Sequence, residues 1–309
     1  MMHFLQLVVN HLYRFPRAKW RIYQRFGGYL NFRKISRAHN EMKQAVAQLP
    51  VCKSYTEGDK IFFLTGEKYL HQTLFCIASL VKVSDNSYHF ILVDDGSLNK
   101  ELENVVRTKV PGITIVNAAS IEENLNKWLP VATFPLLRAK RLVYPHLKKL
   151  TDVHTWSNDG WKMVMDSDML FWHEPVALTD WFRNTNKPVH MVDCEESYGY
   201  SRQLMEELCC TPVPEKLNVG IAGLNSAEIN WAKLEQWLQQ LESKEGKTYY
   251  LEQALTAMLI GNKPALVLPK EDYVVNPEAG EVDRCSGVLH HYVDLSKEGY
   301  FKKAWRKVL

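Results

Sequence analysis

The chain has 309 residues, of which 46% are hydrophobic and 24% charged, with 15 Gly and 13 Pro. This composition excludes disordered, collagen-like and disulfide-scaffold proteins; at about 100–200 residues per domain, the length gives one large α/β domain or two smaller ones. The net charge of +3 is unevenly spread: residues 1–50 carry nine Lys/Arg against the single acid Glu41, net +8, which leaves −5 on the rest. Such an imbalance concerns partners rather than fold.

Residues 1–50 read as a basic segment of short helices, broken at Pro16 and at Gly27-Gly28 and closed by Pro50. Residues 51–309 form the main domain. The apolar run at 4–9 is interrupted by Gln6 and ended by Asn10. No stretch approaches the ~20 apolar residues of a membrane span, and the start lacks a charged region and cleavage site. The six cysteines (Cys52, Cys76, Cys194, Cys209, Cys210, Cys285) form no CxxC pair, which suits a reducing compartment and argues against a zinc site. These features predict a cytoplasmic protein.

In chain order, Ile61-Phe62-Phe63-Leu64 is a buried strand stopped by Thr65-Gly66. Leu70, Leu74, Ile77 and Leu80 mark the helix after it. Phe90-Ile91-Leu92-Val93 is a second strand, and Asp94-Asp95-Gly96-Ser97 turns into a helix near 99–109. Ile113-Thr114-Ile115-Val116 is a third. A helix near 134–149 and a polar loop over 155–160 lead to the fourth, Lys162-Met163-Val164-Met165. Continuous apolar strands alternating with helices predict parallel strands covered on both faces. In such sheets ligands bind beyond the carboxyl ends of the strands, which is where Thr65, Asp94-Asp95 and Asp166-Ser167-Asp168 lie.

Asp166-Ser167-Asp168 carries the sharpest signal. Two carboxylates at i and i+2 leaving a strand can face the same side and hold a hard divalent cation that also binds a diphosphate. A strand-end turn capped by Asp is the plainer alternative. At the second strand end, a carboxylate of Asp94 or Asp95 can accept the imide N–H of uracil; a turn followed by a helix cap explains the same residues. Near the C-terminus, His290-His291-Tyr292 leads into Lys297, Lys302 and Lys303. Histidine as a third ligand beside two aspartates favours Mn²⁺ over Mg²⁺, and the lysines can neutralise phosphate charge. A structural or solvated histidine pair is the alternative. Asp193, after the apolar run Val189 to Val192, is either a pocket residue or a plain strand end.

Taken in order over residues 60–305, these motifs resemble those of GT-A-fold glycosyltransferases, of the retaining family-8 type that includes glycogenins and bacterial lipopolysaccharide galactosyl- and glucosyltransferases. Arg141-Leu142-Val143-Tyr144-Pro145-His146-Leu147 is similar to that family's RLxxPxL helix. Met165-Asp166-Ser167-Asp168-Met169-Leu170 resembles its metal motif, and Leu217-Asn218-Val219-Gly220-Ile221 its sugar-pocket segment. Glu252-Gln253 resembles the acid-Gln pair beside the reacting carbon, and His291-Tyr292 with Lys297 the HFxGxxK metal and phosphate motif. There are departures: Asp294 stands where that motif has glycine, and no Pro-Trp follows Lys297. Lys303-Ala304-Trp305 is a displaced counterpart, Glu252 replaces an Asp, and the 155–160 insertion is long.

The resemblance implies an α/β, GT-A-type Rossmann-like, mainly parallel sheet flanked by helices, preceded by the N-terminal helical segment. It implies a UDP-sugar donor, a glycan or glycolipid acceptor, retention at the anomeric carbon, and Mn²⁺ (or Mg²⁺) held by Asp166, Asp168 and His291. Donor binding falls to Thr65, Asp94, Asp95, Arg141, Ser167, Asn218, Gly220 and Lys297 or Lys303. Gln253, Glu252 and Asp193 fall at the catalytic centre.

Three enzyme rivals fit less of the pattern. Asp166-Ser167-Asp168 also resembles the DxDx[TV] nucleophile motif of haloacid-dehalogenase-type phosphohydrolases, but Leu170 sits where Thr or Val belongs. The GxGxR loop of nucleotidyltransferases and the QxxRW segment of inverting family-2 transferases are absent. A non-catalytic peripheral-membrane binding protein remains as the non-enzymatic alternative. In the basic segment, Arg14, Arg17, Lys19, Arg21 and Arg25 interleave with Phe15, Trp20, Tyr23 and Phe26. That mixture suits an anionic membrane surface, on the inner face for a cytoplasmic protein. A packed helical subdomain with a solvated basic face fits equally, and no nucleic-acid recognition motif is present.

Overall fold

A computed structural model describes residues 14–157 and 160–309. The apolar run at 4–9 and two residues of the polar loop, Asn158 and Asp159, lie outside the described residues. The described chain opens with α1 (Phe15–Arg25) and α2 (Tyr29–Ala45), separated as expected at Gly27 and Gly28, whose φ values are 72° and 101°. Only glycine takes those angles without steric cost. Pro16 lies in the first turn of α1, where its fixed φ and missing N–H do no harm.

Three βα units follow. β1 (Asp59–Thr65) leads to α3 (Leu70–Val83), β2 (Tyr88–Asp94) to α4 (Lys100–Lys109), and β3 (Thr114–Val116) to α5 (Ala118–Trp128). The helix expected over 134–149 is instead two, α6 (Pro135–Val143) and α7 (Lys148–His154), joined by a 3-10 turn. Pro145 is the cause, because the residue before a proline is pushed out of the α region. Tyr144 accordingly sits at φ −132°, ψ 86°. β4 (Trp161–Met165) and β5 (Met169–Phe171) come next, then α8 (Val176–Arg183), β6 (Val189–Val192), α9 (Arg202–Cys209) and β7 (Leu217–Asn225). The chain continues through α10 (Trp231–Glu245), α11 (Leu251–Ile260), β8 (Leu266–Val267) and β9 (Tyr273–Val275). It ends with α12 (Ala279–Arg284), β10 (Leu289–His291) and α13 (Lys297–Lys302).

The large sheet has the order β3-β2-β1-β4-β7-β6-β8, with β7 antiparallel to both neighbours and the other pairs parallel. A small sheet has the order β5-β10-β9. Side chains alternate across the pleat. Ile61, Phe63, Phe90, Leu92, Met163 and Met165 therefore enter one apolar layer with α3, while Phe62, Ile91, Val93 and Val164 enter a second with α5, α7, α10 and α11. Burial on both faces is why the strands read as unbroken apolar runs, and every residue of β2 is buried. α2 buries Ile35, Ala38, Met42 and Ala45, a helical stripe three and four residues apart. Met42 and Ala45 share the first layer with Leu70 and Leu74 of α3.

Candidate functional site

Strand register brings distant residues together at the carboxyl end of β4. Beyond Met165 the chain turns through Asp166-Ser167-Asp168 into β5, which pairs antiparallel with β10 so that Met169 faces His291. One step further, Tyr292 N–H donates to the Asp168 carbonyl at 2.9 Å. On the other side β7 runs antiparallel to β4, and Asp166 N–H donates to the Gly220 carbonyl at 2.8 Å. Asp166, Asp168 and His291 thus meet, with one ligand atom from each lying within 4.8 Å of the others. His291 Nε2 is 3.3 Å from Asp168 Oδ1 and 3.6 Å from Asp166 Oδ2.

Hydrogen bonds orient the imidazole. Asn218 Oδ1 accepts the Gly220 N–H at 2.9 Å, and Asn218 Nδ2 donates to Asp193 Oδ2 at 3.1 Å. With that amide orientation fixed, His291 Nδ1, 3.2 Å from the same Oδ1, must carry the proton. Nε2 faces the two carboxylates, and in the neutral imidazole its lone pair can join them in holding a cation. Oxygen donors with one imidazole fit a divalent ion of the Mn²⁺ or Mg²⁺ kind. Gly220 is required for this approach: a Cβ there would lie 2.5 Å from His291 Nδ1 and 2.9 Å from Asn218 Oδ1.

Two lysines balance the acids. Lys297, the first residue of α13, pairs with Asp168 Oδ2. Burial alone would raise the Asp168 pKa, but Lys297 and His291 outweigh it and hold the carboxyl well below the usual range. Lys149, on α7, lies 2.5 Å from Asp166 Oδ1 and 3.8 Å from Glu252 Oε2. Burial opposes its charge, yet Asp166 and Glu252 raise its pKa. Glu252 is pushed up to about 7, chiefly by burial, with Asp166 adding and Lys149 opposing.

The remaining predicted residues distribute as follows. Gln253 Nε2 donates to Asp193 Oδ2 at 3.3 Å, so Gln253, Asp193 and Asn218 form one row leading to His291. Thr65 and Ser167 are linked through Thr73, at 2.9 and 2.8 Å. Asp94 Oδ1 accepts N–H groups from Gly96, Ser97 and Leu98 at 2.9, 3.1 and 3.1 Å, a turn cap. Asp95 Oδ1 accepts from Ser97 N–H at 3.0 Å, with Gly66 packed beneath both side chains. Arg141 is engaged by Asp152 at 2.8 and 2.5 Å, and Lys303 by Asp283 at 2.8 and 3.1 Å. The cation beside Asp166 is Lys149, which sequence reasoning passed over together with Thr73. A signal existed for it, a lysine pair in the last helix before the metal strand.

No protein-family model matches the chain, and no curated protein matches it by sequence. Its fold, however, is found among solved glycosyltransferases. It is similar to the galactosyltransferase LgtC in complex with donor and acceptor sugar analogs, at TM-score 0.51 and 15% identity, covering 81% of this chain and 100% of that one. It is also similar to apo mouse xyloside xylosyltransferase 1, at TM-score 0.50 and 13% identity over 77% and 97% of the two chains. A third likeness is to the bifunctional glycosyltransferase WbbM, at 0.50 and 12% over 82% of this chain and 51% of that one. The protein therefore has a GT-A-like α/β fold, the mainly parallel sheet that the order of its motifs predicts. At its strand ends it carries a candidate divalent-metal cluster.

Proposed function

We propose that the protein is a metal-dependent glycosyltransferase that moves a hexose from a UDP-sugar to a glycan or lipid-linked acceptor, with retention at the anomeric carbon. The observation that carries this reading is the convergence of Asp166, Asp168 and His291 within 4.8 Å. The fold shared with LgtC, whose structure holds donor and acceptor sugar analogs, supports it.

Asp166, Asp168 and His291 would hold Mn²⁺ or Mg²⁺, which supplies positive charge against the donor diphosphate. Lys297 and Lys149 already stand at the two carboxylates and would turn to phosphate oxygens, offsetting charge that develops on the departing UDP. Asn218, Asp193 and Gln253 form a row of donors and acceptors suited to sugar hydroxyls. Glu252, near half-protonated at neutral pH, can donate or accept there. In the retaining reaction the bond from the anomeric carbon to the phosphate oxygen breaks and one to the acceptor oxygen forms on the same face. The acceptor proton passes to the departing phosphate. Thr65, Ser167, Asp94 and Asp95 stand at or next to the strand ends, where the nucleotide would bind.

Purified protein with UDP-hexoses and Mn²⁺ tests the reading. Asp168→Ala should lower transfer or hydrolysis by about 100-fold or more while leaving the far-ultraviolet spectrum intact. Undiminished turnover in that variant removes the metal role.

A further inference from the structure

The part of the molecule that this chemistry does not use is the hairpin of α1 and α2. Residues 14–37 hold eight Lys/Arg and no acid, while the rest of the chain is net −5. Four large apolar side chains within eleven residues face solvent: Trp20 (58% exposed), Ile22 (45%), Tyr29 (51%) and Leu30 (75%). The inner stripe of α2 turns toward the core, so Leu30, Arg33, Lys34 and Arg37 are left on its outer side. Arg25 pairs with Asp294 and Arg37 with Glu41. Lys19, Arg21 and Lys34 form no ion pair among the described residues.

The hairpin is preformed. Tyr23 packs against Tyr29 and Phe32 with ring centroids 5.2 and 5.0 Å apart, and Phe26 against Phe32 at 6.3 Å. It is also fixed to the body near the site. Arg25 reaches Asp294, and Asn31 Nδ2 donates to Glu298 Oε1 at 3.0 Å, on the α13 helix that Lys297 begins. These contacts join the hairpin, at the turn between its two helices, to α13 and the segment before it.

We propose that the outer face of this hairpin docks on an anionic lipid bilayer. Charge complementarity selects a polyanionic partner, because a segment with eight cations and no acid attracts a negative surface and repels a basic one. The apolar side chains select lipid among polyanions. A nucleic acid would engage the cations and leave Trp20 and Leu30 in water, whereas a bilayer interface takes rings and aliphatic groups at headgroup depth and cations at the surface. The proposal does not depend on the glycosyltransferase reading, since its readout is binding.

The test is vesicle flotation of the full chain with phosphatidylcholine alone and with about 30% phosphatidylglycerol added. Binding should appear on the anionic vesicles and fall sharply in about 0.5 M salt, where screening is short-ranged. Reversing three unpaired cations (Lys19→Glu, Arg21→Glu, Lys34→Glu) should weaken binding by about 100-fold or more. Trp20→Ala with Leu30→Ala should weaken it about tenfold or more, even at low salt. All five positions are exposed and none touches the carboxylate cluster, so UDP-hexose turnover and the thermal midpoint should stay at the wild-type level. Equal binding to neutral and anionic vesicles, no binding to either, or full binding by the charge-reversed variant overturns the proposal. So does tighter binding to a DNA duplex than to the anionic vesicles. Vesicle binding without turnover sinks only the glycosyltransferase reading, and turnover without vesicle binding sinks only this one.

Discussion

The carboxylate cluster and the N-terminal hairpin are both dense in charge, yet they are built in opposite ways. At the ends of the strands, each acid has a cation against it: Asp166 has Lys149, Asp168 has Lys297, and an oriented imidazole faces both. Those partners arrive from β10, α7 and α13, and Lys149 is buried. Over residues 14–37 of the hairpin the charges are of one sign and sit on helices with open outer faces. Buried charge must be matched within the chain, because desolvation is costly. Exposed charge of one sign needs no internal match, so its partner can lie outside the molecule. The difference separates charges matched inside the chain from charges left open to a partner outside it.

The strongest way to break the comparison is Lys149→Met. Removing a buried cation from between Asp166 and Glu252 leaves two carboxylates without it, a change that typically costs about 3–5 kcal/mol. Urea unfolding should show a loss of that size, partly recovered by saturating Mn²⁺, since an ion at Asp166 and Asp168 restores positive charge and binds only the folded state. A loss below about 1 kcal/mol would mean that the pair behaves like a surface contact.

Much of this was legible before any coordinates. The strands from Ile61, Phe90 and Lys162 are apolar on both faces, and a doubly covered parallel strand leaves that trace in the sequence. The Asp166-Ser167-Asp168 turn was legible for the same reason, because it stands directly after such a run. Lys149 was not. Its role depends on α7 being a separate helix, which Pro145 enforces by splitting the expected 134–149 helix. Arg141, on the preceding segment, meets Asp152 instead. The roles of Asn218 and Gly220 in aiming His291 were equally hidden, since the hydrogen bonds join residues that register, rather than spacing, brings together.

A smaller effect sits at the junction of the two regions. His39 of α2 and His71 of α3 approach at 2.8 Å between their Nε2 atoms, which requires one proton in the contact and one lone pair. Burial is the main cause that pushes His71 down to about 3 and His39 to about 4, with Lys43 and Lys297 adding to both. The folded state thus refuses protons that the unfolded chain accepts near pH 6.5. The stability is present above that pH and lost as pH falls below it, by about 2 kcal/mol from His71 alone between pH 6.5 and 5. His71→Gln should flatten the slope measured by urea unfolding across that range. An unchanged slope would place the acid sensitivity elsewhere.

The smallest effect sharpens the comparison most finely, because one ion pair can be broken from either end. Arg25 and Asp294 are 59% and 39% exposed at the side chain, so Arg25→Ala should cost less than about 1 kcal/mol and nothing measurable in high salt. Asp294 also stands at φ 45°, a left-handed conformation that glycine adopts more readily. Asp294→Gly loses the same pair but relieves the backbone, so its net effect on unfolding should lie near zero or be slightly stabilising. If instead Asp294→Gly costs more than Arg25→Ala, the carboxylate does more than hold Arg25. The loop between β10 and α13, which carries the approach to Lys297, would then belong energetically to the buried site rather than to the exposed hairpin.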